Sequence, residues 1–303
     1  MKEARPSGLR FYVALFVFLA AAVALQVVRD RGWTPFTPPN AVLWLQSGEA
    51  AKRLALQFDN IVADAYWIRA VVYYGGRLRS EAQAPRNFDG LYPLLQLTTD
   101  LDSRFKVAYR FGALFLSEPP PQGPGRPDQA VALLERAIER DDGDWEYFQD
   151  VGFIYYWWLR DYAKAADWFK RGSERPGAPE WLVGVAATTL AEGGNRQSSR
   201  TLWTQLLQDT DAEYIHGNAR RRLMQLDAMD LIDRTTPVLQ RFVAREGRMP
   251  RSWQELVEVE RLPGVPTDPT GIPLTADAAG RVNVSQKSTL WPLPIEPKAE
   301  PAK

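Results

Sequence analysis

The sequence predicts an all-α protein: a superhelix of helical repeats, with an N-terminal transmembrane helix and a small C-terminal appendage of helices and a hairpin. Three observations support this fold class. From residue 47 onward, the apolar residues of the 303-residue chain follow a helical period. Small residues recur among them at a nearly constant interval. One uninterrupted apolar run near the N terminus is long enough to form a membrane anchor.

The apolar run extends over residues 9–28 and contains a single charge, Arg10, near its start. About 18–20 such residues can cross a bilayer as one helix. We therefore predict an N-terminal tail at 1–8 and a signal-anchor helix at 9–28 that binds the lipid bilayer. A cleaved secretory signal is the alternative, because residues 22–24 form an A-x-A-like site. The apolar run continues beyond that site, which favours the anchor.

The charges around this run predict its orientation. Three basic residues precede its apolar core, whereas Arg29 and Arg31 follow it closely. The positive-inside tendency then favours a cytoplasmic tip and an exported body. The expected location is a bacterial inner membrane crossed once, with the body in the periplasm.

Composition excludes several classes of function. Lys and Arg total 37 and Asp and Glu total 37, so the chain lacks the basic footprint of a nucleic-acid-binding protein. The absence of Cys excludes disulfides, thiolate nucleophiles and cysteine metal sites. A single His excludes multi-histidine zinc sites. We predict no catalytic residue, no metal site and no cofactor.

Three stretches of the chain share one pattern of small and large residues. In each, a small residue is followed by a large residue four positions later and by a small or apolar residue seven positions later. The three small residues lie at 130, 165 and 199, which are 35 and 34 positions apart. A further small residue precedes each group, and the proline-rich stretch 117–127 lengthens the first interval. The repeat-defining residues are Gly112, Ala130, Leu134 and Ala137; Gly152, Ala165, Phe169 and Gly172; and Ala187, Ser199 and Trp203.

This pattern resembles the tetratricopeptide repeat (TPR), a helix–turn–helix unit of about 34 residues. The resemblance implies that a small residue on the first helix of each repeat lets the second helix approach closely. It also implies that an aromatic residue on the second helix fills the groove between them. Gly152, Ala165 and Phe169 match these roles, although the interval of 13 from Gly152 to Ala165 is one residue longer than in the family. The chain also resembles uncharacterised membrane-anchored bacterial TPR proteins, which implies architecture more than function.

Proline, glycine and capping signals predict the remaining boundaries. A proline-rich connector at 29–46 leads to the repeat domain at 47–230, whose last helix, 213–230, is a polar cap. The segment 231–290 is predicted to contain C-terminal helices and a possible β-hairpin.

Within that C-terminal segment, Thr236-Pro237 and Ser252 are predicted helix starts. The hairpin is expected between residues 272 and 285. The proline- and charge-rich tail, 291–303, is predicted to be disordered.

The polar motifs indicate structural more than chemical roles. His216 has no Ser or Cys close to it in the sequence. Arg220–Arg222 could hold an anionic group, but consecutive helical residues point in different directions, which favours a solvated face.

Residues 141–144 lack the closing Glu of a calcium loop, and indicate a turn with Asp144 as an N-cap. The glycine pairs 75–76 and 193–194 are predicted helix ends.

Aromatic runs are the remaining candidates for function. Four adjacent aromatic residues, 155–158, span about 300° of a helix, so they cannot all face one core. Packing between repeats and a groove for a partner both fit this pattern, and the family resemblance implies that first helices line a concave face. The candidate groove residues are Tyr66, Tyr73, Tyr155 and Trp158.

The expected function is therefore a membrane-anchored, non-catalytic TPR-like scaffold that binds a protein or an extended peptide at the cell envelope. One alternative is an accessory subunit of a pilus, secretion or export machine, since the stretches 268–271 and 280–282 are slightly similar to a pilin-like hairpin. A second alternative is an envelope hydrolase that uses paired carboxylates. The oligomeric state stays open.

Overall fold

The computed structural model describes residues 8–32, 48–79, 86–141, 143–209 and 212–296. Over these ranges the protein consists of twelve α-helices, one π-helical turn and a two-stranded antiparallel ribbon. The all-α fold class is therefore confirmed.

The N-terminal helix α1 extends over Gly8–Gly32, and every side chain described between residues 12 and 28 is exposed. Over the described part of the chain, no helix combines the length and the apolar character that a membrane crossing requires. The transmembrane helix predicted at 9–28 is thus not confirmed. Residues 1–7 and 33–47, which include most of the predicted connector, lie outside the described residues.

The body of the protein is a succession of packed helix pairs. A short helix, α2 (Gly48–Ala55), packs on the first pair. The pairs are α3 (Asp59–Arg79) with α4 (Leu91–Leu101), α5 (Lys106–Ser117) with α6 (Pro127–Arg140), α7 (Trp145–Ile154) with α8 (Tyr162–Ser173), and α9 (Trp181–Glu192) with α10 (Arg196–Asp209). Each pair also packs on the next, as with α6 against α7 and α8 against α9. We call α3, α5, α7 and α9 the first helices.

The repeat-defining residues lie in the contacts between these helices. All of those predicted from the sequence, from Gly112 to Trp203, are buried. A Cβ added at Gly152 would lie 2.5 Å from the ring of Phe169, and one at Gly112 would lie 2.8 Å from Leu95. Both distances are shorter than any normal carbon–carbon contact, so only glycine fits. In the α9–α10 pair, Gly184 has a similar role, since its added Cβ would lie 3.0 Å from Trp203.

The helix α7 ends in a π-helical turn, Tyr155–Leu159. Such a turn holds one residue more than an α-helical turn. This extra residue explains why 13 positions separate Gly152 from Ala165. Arg160, at φ 55°, ends the turn in the left-handed region, and Asp161 then caps α8 by accepting a hydrogen bond from the Lys164 amide at 3.0 Å.

The helix α11 (Glu213–Glu246) corrects two predictions. It runs through the predicted domain boundary after residue 230, and Pro237 lies inside it rather than at a new helix start. A proline removes one backbone hydrogen bond of a helix. In the turn before Pro237, the hydroxyl of Thr236 donates to the Ile232 carbonyl at 2.8 Å. In the turns after it, the buried Leu239 holds the helix against the core.

The C-terminal region follows α11 and forms a small core of its own. Ser252 caps α12 (Trp253–Glu260), accepting a hydrogen bond from the Glu255 amide at 3.3 Å as predicted. The predicted hairpin is present but short, with β1 (Thr275–Ala276) antiparallel to β2 (Val282–Asn283). Leu274 and Val284, which flank the two strands, are buried in one cluster with residues of α11 and α12.

The final described residues correct the predicted disordered tail. The carboxylate of Glu296 accepts two hydrogen bonds from the guanidinium of Arg196, each at 2.6 Å. The side chain of Gln225 donates to the carbonyls of Leu290 and Pro292, each at 2.8 Å. Residues 291–296 are therefore held against α10 and α11, whereas residues 297–303 lie outside the described part of the chain.

Candidate binding groove along the first helices

Two of the four predicted groove residues belong to the packing of α3. Tyr66 is 1% exposed and lies in the core, so it cannot line an exposed groove, and that prediction is wrong. Tyr73 is half-buried. Its hydroxyl donates to the Asn87 carbonyl at 3.2 Å and accepts from the Gly90 amide at 3.3 Å, which ties α3 to the start of α4.

The other two predicted residues lie in the π turn. Tyr155 is half-buried between two parts of the core, and the Lys164 ammonium lies 5.4 Å from its ring centroid. Trp158 is also half-buried, but one side of it lines an open cavity. The structure therefore brings only Trp158 of the four to a surface that a partner could reach.

That cavity lies between α5 and α7 and has a volume of about 410 Å³. We call it the α5–α7 cavity. Phe111 and Leu114 of α5 form its exposed apolar side, and Phe153, Trp157 and Trp158 form the other. Its lining is mostly apolar, as is typical of a binding cleft.

The charged groups at the edge of this cavity neutralise one another. Arg110 donates to both carboxylate oxygens of Asp150, at 2.5 and 3.1 Å, and to Glu146 at 2.7 Å. Burial raises the pKa of Asp150, and the hydrogen bonds from Arg110 oppose that shift. The α5–α7 cavity thus offers apolar contact rather than a charge.

A second cavity, also of about 410 Å³, lies between the π turn, α9 and α11. We call it the α7–α11 cavity. Trp181 and Tyr214 are large exposed residues on its lining, and Gly184 lies on its floor. Phe153 and Trp157 line both cavities. The two cavities are therefore neighbours along the first helices, and together we call them the groove.

Trp157 separates the two cavities and is 56% exposed. Trp157 belongs to the aromatic run 155–158 but is not among the four predicted groove residues. The signal that could have found it is the extra residue between Gly152 and Ala165, because a π turn changes the direction of the side chains that follow. π-helical turns occur frequently at functional sites.

The charged end of the groove is Arg222 on α11. Its Nε is buried and has no hydrogen-bond partner among the described residues, while Nη1 donates to the Gln225 side chain at 3.1 Å. Burial lowers the pKa of Arg222, the neighbouring Arg221 lowers it further, and Glu192 opposes the shift. Within the described part of the chain, no carboxylate forms an ion pair with it.

Glu192 is itself engaged in the α7–α11 cavity. It accepts a hydrogen bond from the Tyr156 hydroxyl at 2.6 Å. Burial and this hydrogen bond raise the pKa of Tyr156 to about 12. The Tyr156–Glu192 pair lines the same cavity as Arg222, and the Glu192 carboxylate lies close enough to the guanidinium to act on its pKa.

The three consecutive arginines therefore have three different environments. Arg220 is exposed. Arg221 donates to the carbonyls of Thr289 and Trp291, at 3.0 and 3.2 Å. Arg222 faces the groove, so the predicted solvated face is wrong for the last two residues.

The described residues contain no group of three or more His, Cys, Asp or Glu side chains placed to hold a metal ion. Asp144 caps α7 by accepting from the Glu146 amide at 3.1 Å, as predicted.

No protein-family model, no curated protein and no solved structure matches this chain.

Proposed function

We propose that this protein is a non-catalytic scaffold whose groove binds an extended segment of a partner protein. The observation that carries this proposal is the exposed Trp157 between two cavities of the same size. Large aromatic side chains beside cavities dominate the binding energy of many protein interfaces. A segment that crosses Trp157 could place an apolar side chain in each cavity.

Arg222 defines the chemistry of one end of the bound segment. A guanidinium binds a carboxylate through parallel hydrogen bonds. Arg222 lines the α7–α11 cavity and forms no ion pair within the described structure. The segment that fits this groove therefore carries an acidic side chain near its apolar residues.

The proposal includes attachment of α1 to a bacterial envelope membrane. The apolar sequence at 9–28 and the exposure of the described side chains from 12 to 28 support it; the side chains of residues 9–11 lie outside the described ones. Attachment would raise the effective concentration of the groove for partners in the same membrane. The helix pairs, the glycine–aromatic contacts and the π turn that explains the long interval support membership of the TPR superfamily.

Photo-crosslinking tests the groove. A benzophenone amino acid at position 157 should capture the partner in cells. Trp157→Ala should then weaken its binding by about 2 kcal/mol, or roughly 30-fold in Kd. The matched control is Trp291→Ala, since Trp291 is 40% exposed outside the groove. Unchanged affinity of Trp157→Ala would refute the groove.

A double-mutant cycle tests the role of Arg222. Arg222→Gln should weaken binding of the captured segment. It should have no further effect once the acidic residue of that segment is replaced by its amide, because the two changes remove one interaction. Additive effects would show that Arg222 does not contact this acid.

A further inference from the structure

The helix α3 has two apolar faces, although only one of them is buried. Ala63, Tyr66 and Ala70 pack on the inner face. Ile61 and Ile68 lie seven positions apart on the opposite side, which places them on one stripe of the helix. Ile68 is 61% exposed.

The exposed stripe extends along the helix in both directions. Val72 continues it, four positions after Ile68, and is exposed. Gly75 and Gly76 were predicted to end α3 but lie inside it, and an added Cβ at either would meet nothing within 4 Å. The outer side of α3 is therefore open along most of its length.

The turn before α3 adds further exposed apolar residues. Leu56 and Gln57 have φ values of 48° and 75°, a region that is unfavourable for residues other than glycine. Leu54, Leu56 and Phe58 are nevertheless all exposed. We call these three residues, with Ile61, Ile68 and Val72, the α2–α3 face. Several exposed large apolar residues on one helix side and the turn before it are the feature of an interaction site.

The charge of this part of the chain differs from that of the whole. Residues 48–79 contain five basic and three acidic side chains, a net charge of 5 − 3 = +2, whereas the whole chain is neutral. The basic residues are Lys52, Arg53, Arg69, Arg77 and Arg79, and the acidic ones are Glu49, Asp59 and Asp64.

We propose that the α2–α3 face docks on the anionic lipid surface of the bilayer to which α1 attaches. This inference rests on the proposed membrane attachment. Apolar side chains at the headgroup boundary together with basic residues are the features of helices that lie on membranes. Only residues 33–47 separate α1 from α2, and 15 residues span at most about 50 Å, so the face is within reach of the membrane.

Site-specific fluorescence tests this docking in the full chain. The protein has no Cys, so Ile68→Cys, Phe18→Cys and Tyr214→Cys each give a single site for an environment-sensitive dye. The proteins are reconstituted into vesicles of phosphatidylcholine and phosphatidylglycerol that contain nitroxide-labelled lipid. The dye at 68 should be quenched severalfold more than the dye at 214, which lies in the groove.

The dye at position 18 reports attachment of α1 separately. Quenching at 18 without quenching at 68 would overturn the docking and leave the attachment intact. Quenching at 68 alone would refute the attachment and, with it, docking on the bilayer that α1 holds, and no quenching at either position would also refute both. A blue-shifted but unquenched dye at 68 would show that protein covers the face, which also overturns the proposal. Vesicles without phosphatidylglycerol should reduce quenching at 68 but not at 18.

Discussion

The aromatic run of α3 and the aromatic run of the π turn that follows α7 have opposite roles. In α3 the aromatic residues point into the fold: Trp67 and Tyr74 stack on Phe115 with ring centroids 6.1 and 4.5 Å apart. The exposed large apolar residues on its outer side, such as Ile61, Ile68 and Val72, are aliphatic. In α7 the aromatic run lies in a π turn that leaves Trp157 exposed. The rotation of a helix about its axis, more than its composition, therefore decides which aromatic residue can meet a partner.

The largest expected effect concerns the packing that holds the π turn. Gly152→Trp should lower the free energy of unfolding by more than about 3 kcal/mol, because even a methyl group at this position overlaps Phe169. Ala165→Arg should have a similar effect, since it buries an unpaired charge. Denaturant unfolding followed by circular dichroism measures both.

Gly217→Ala is the matched glycine control. Gly217 lies in α11, and an added Cβ would meet nothing within 4 Å. Alanine should therefore stabilise the protein by about 0.5–1 kcal/mol. If Gly152→Trp unfolds like the unmodified protein, the contact between α7 and α8 is wrong.

The next effect contrasts a buried aromatic residue with an exposed one. Tyr66→Ala should lower the free energy of unfolding by about 3–5 kcal/mol, as for other large buried aromatic residues. Trp157→Ala should change stability by less than about 1 kcal/mol, since its side chain is mostly outside the core. Thermal unfolding of the two variants compares them, and equal losses would mean that Trp157 is a core residue.

The small residues were predictable from the sequence because a close helix contact restricts residue size, and that restriction recurs with the repeat. The caps at Asp144 and Ser252 were predictable because a helix N-cap depends on residues close to it in the sequence. Trp157 was not predictable as the exposed residue, because a run of four adjacent aromatic residues does not show which of them faces the solvent. Arg222 was not predictable as a groove residue either, because its surroundings depend on how α11 lies beside α9.

Removing one residue from the π turn tests whether partner binding depends on that turn. Deletion of Trp157 shortens the interval from Gly152 to Ala165 to 12, one fewer than the 13 of this chain, and allows a regular α-helical turn. Partner affinity should fall by about 2 kcal/mol, as for loss of a hot-spot residue, while the helical circular dichroism signal is retained. Retained affinity would show that the groove does not depend on this turn.

The smallest effect concerns Tyr73, which was predicted to meet a partner but is bonded to the chain itself. Tyr73→Phe removes the hydroxyl that donates to Asn87 and accepts from Gly90. The free energy of unfolding should fall by about 1 kcal/mol, the usual net value of such hydrogen bonds. Partner affinity should stay unchanged, because the ring remains in place and lies outside the groove. Unfolding and binding measurements on the same preparation separate the two roles: a loss of affinity with unchanged stability would place Tyr73 in the binding surface after all, and would extend that surface from α5 to α3.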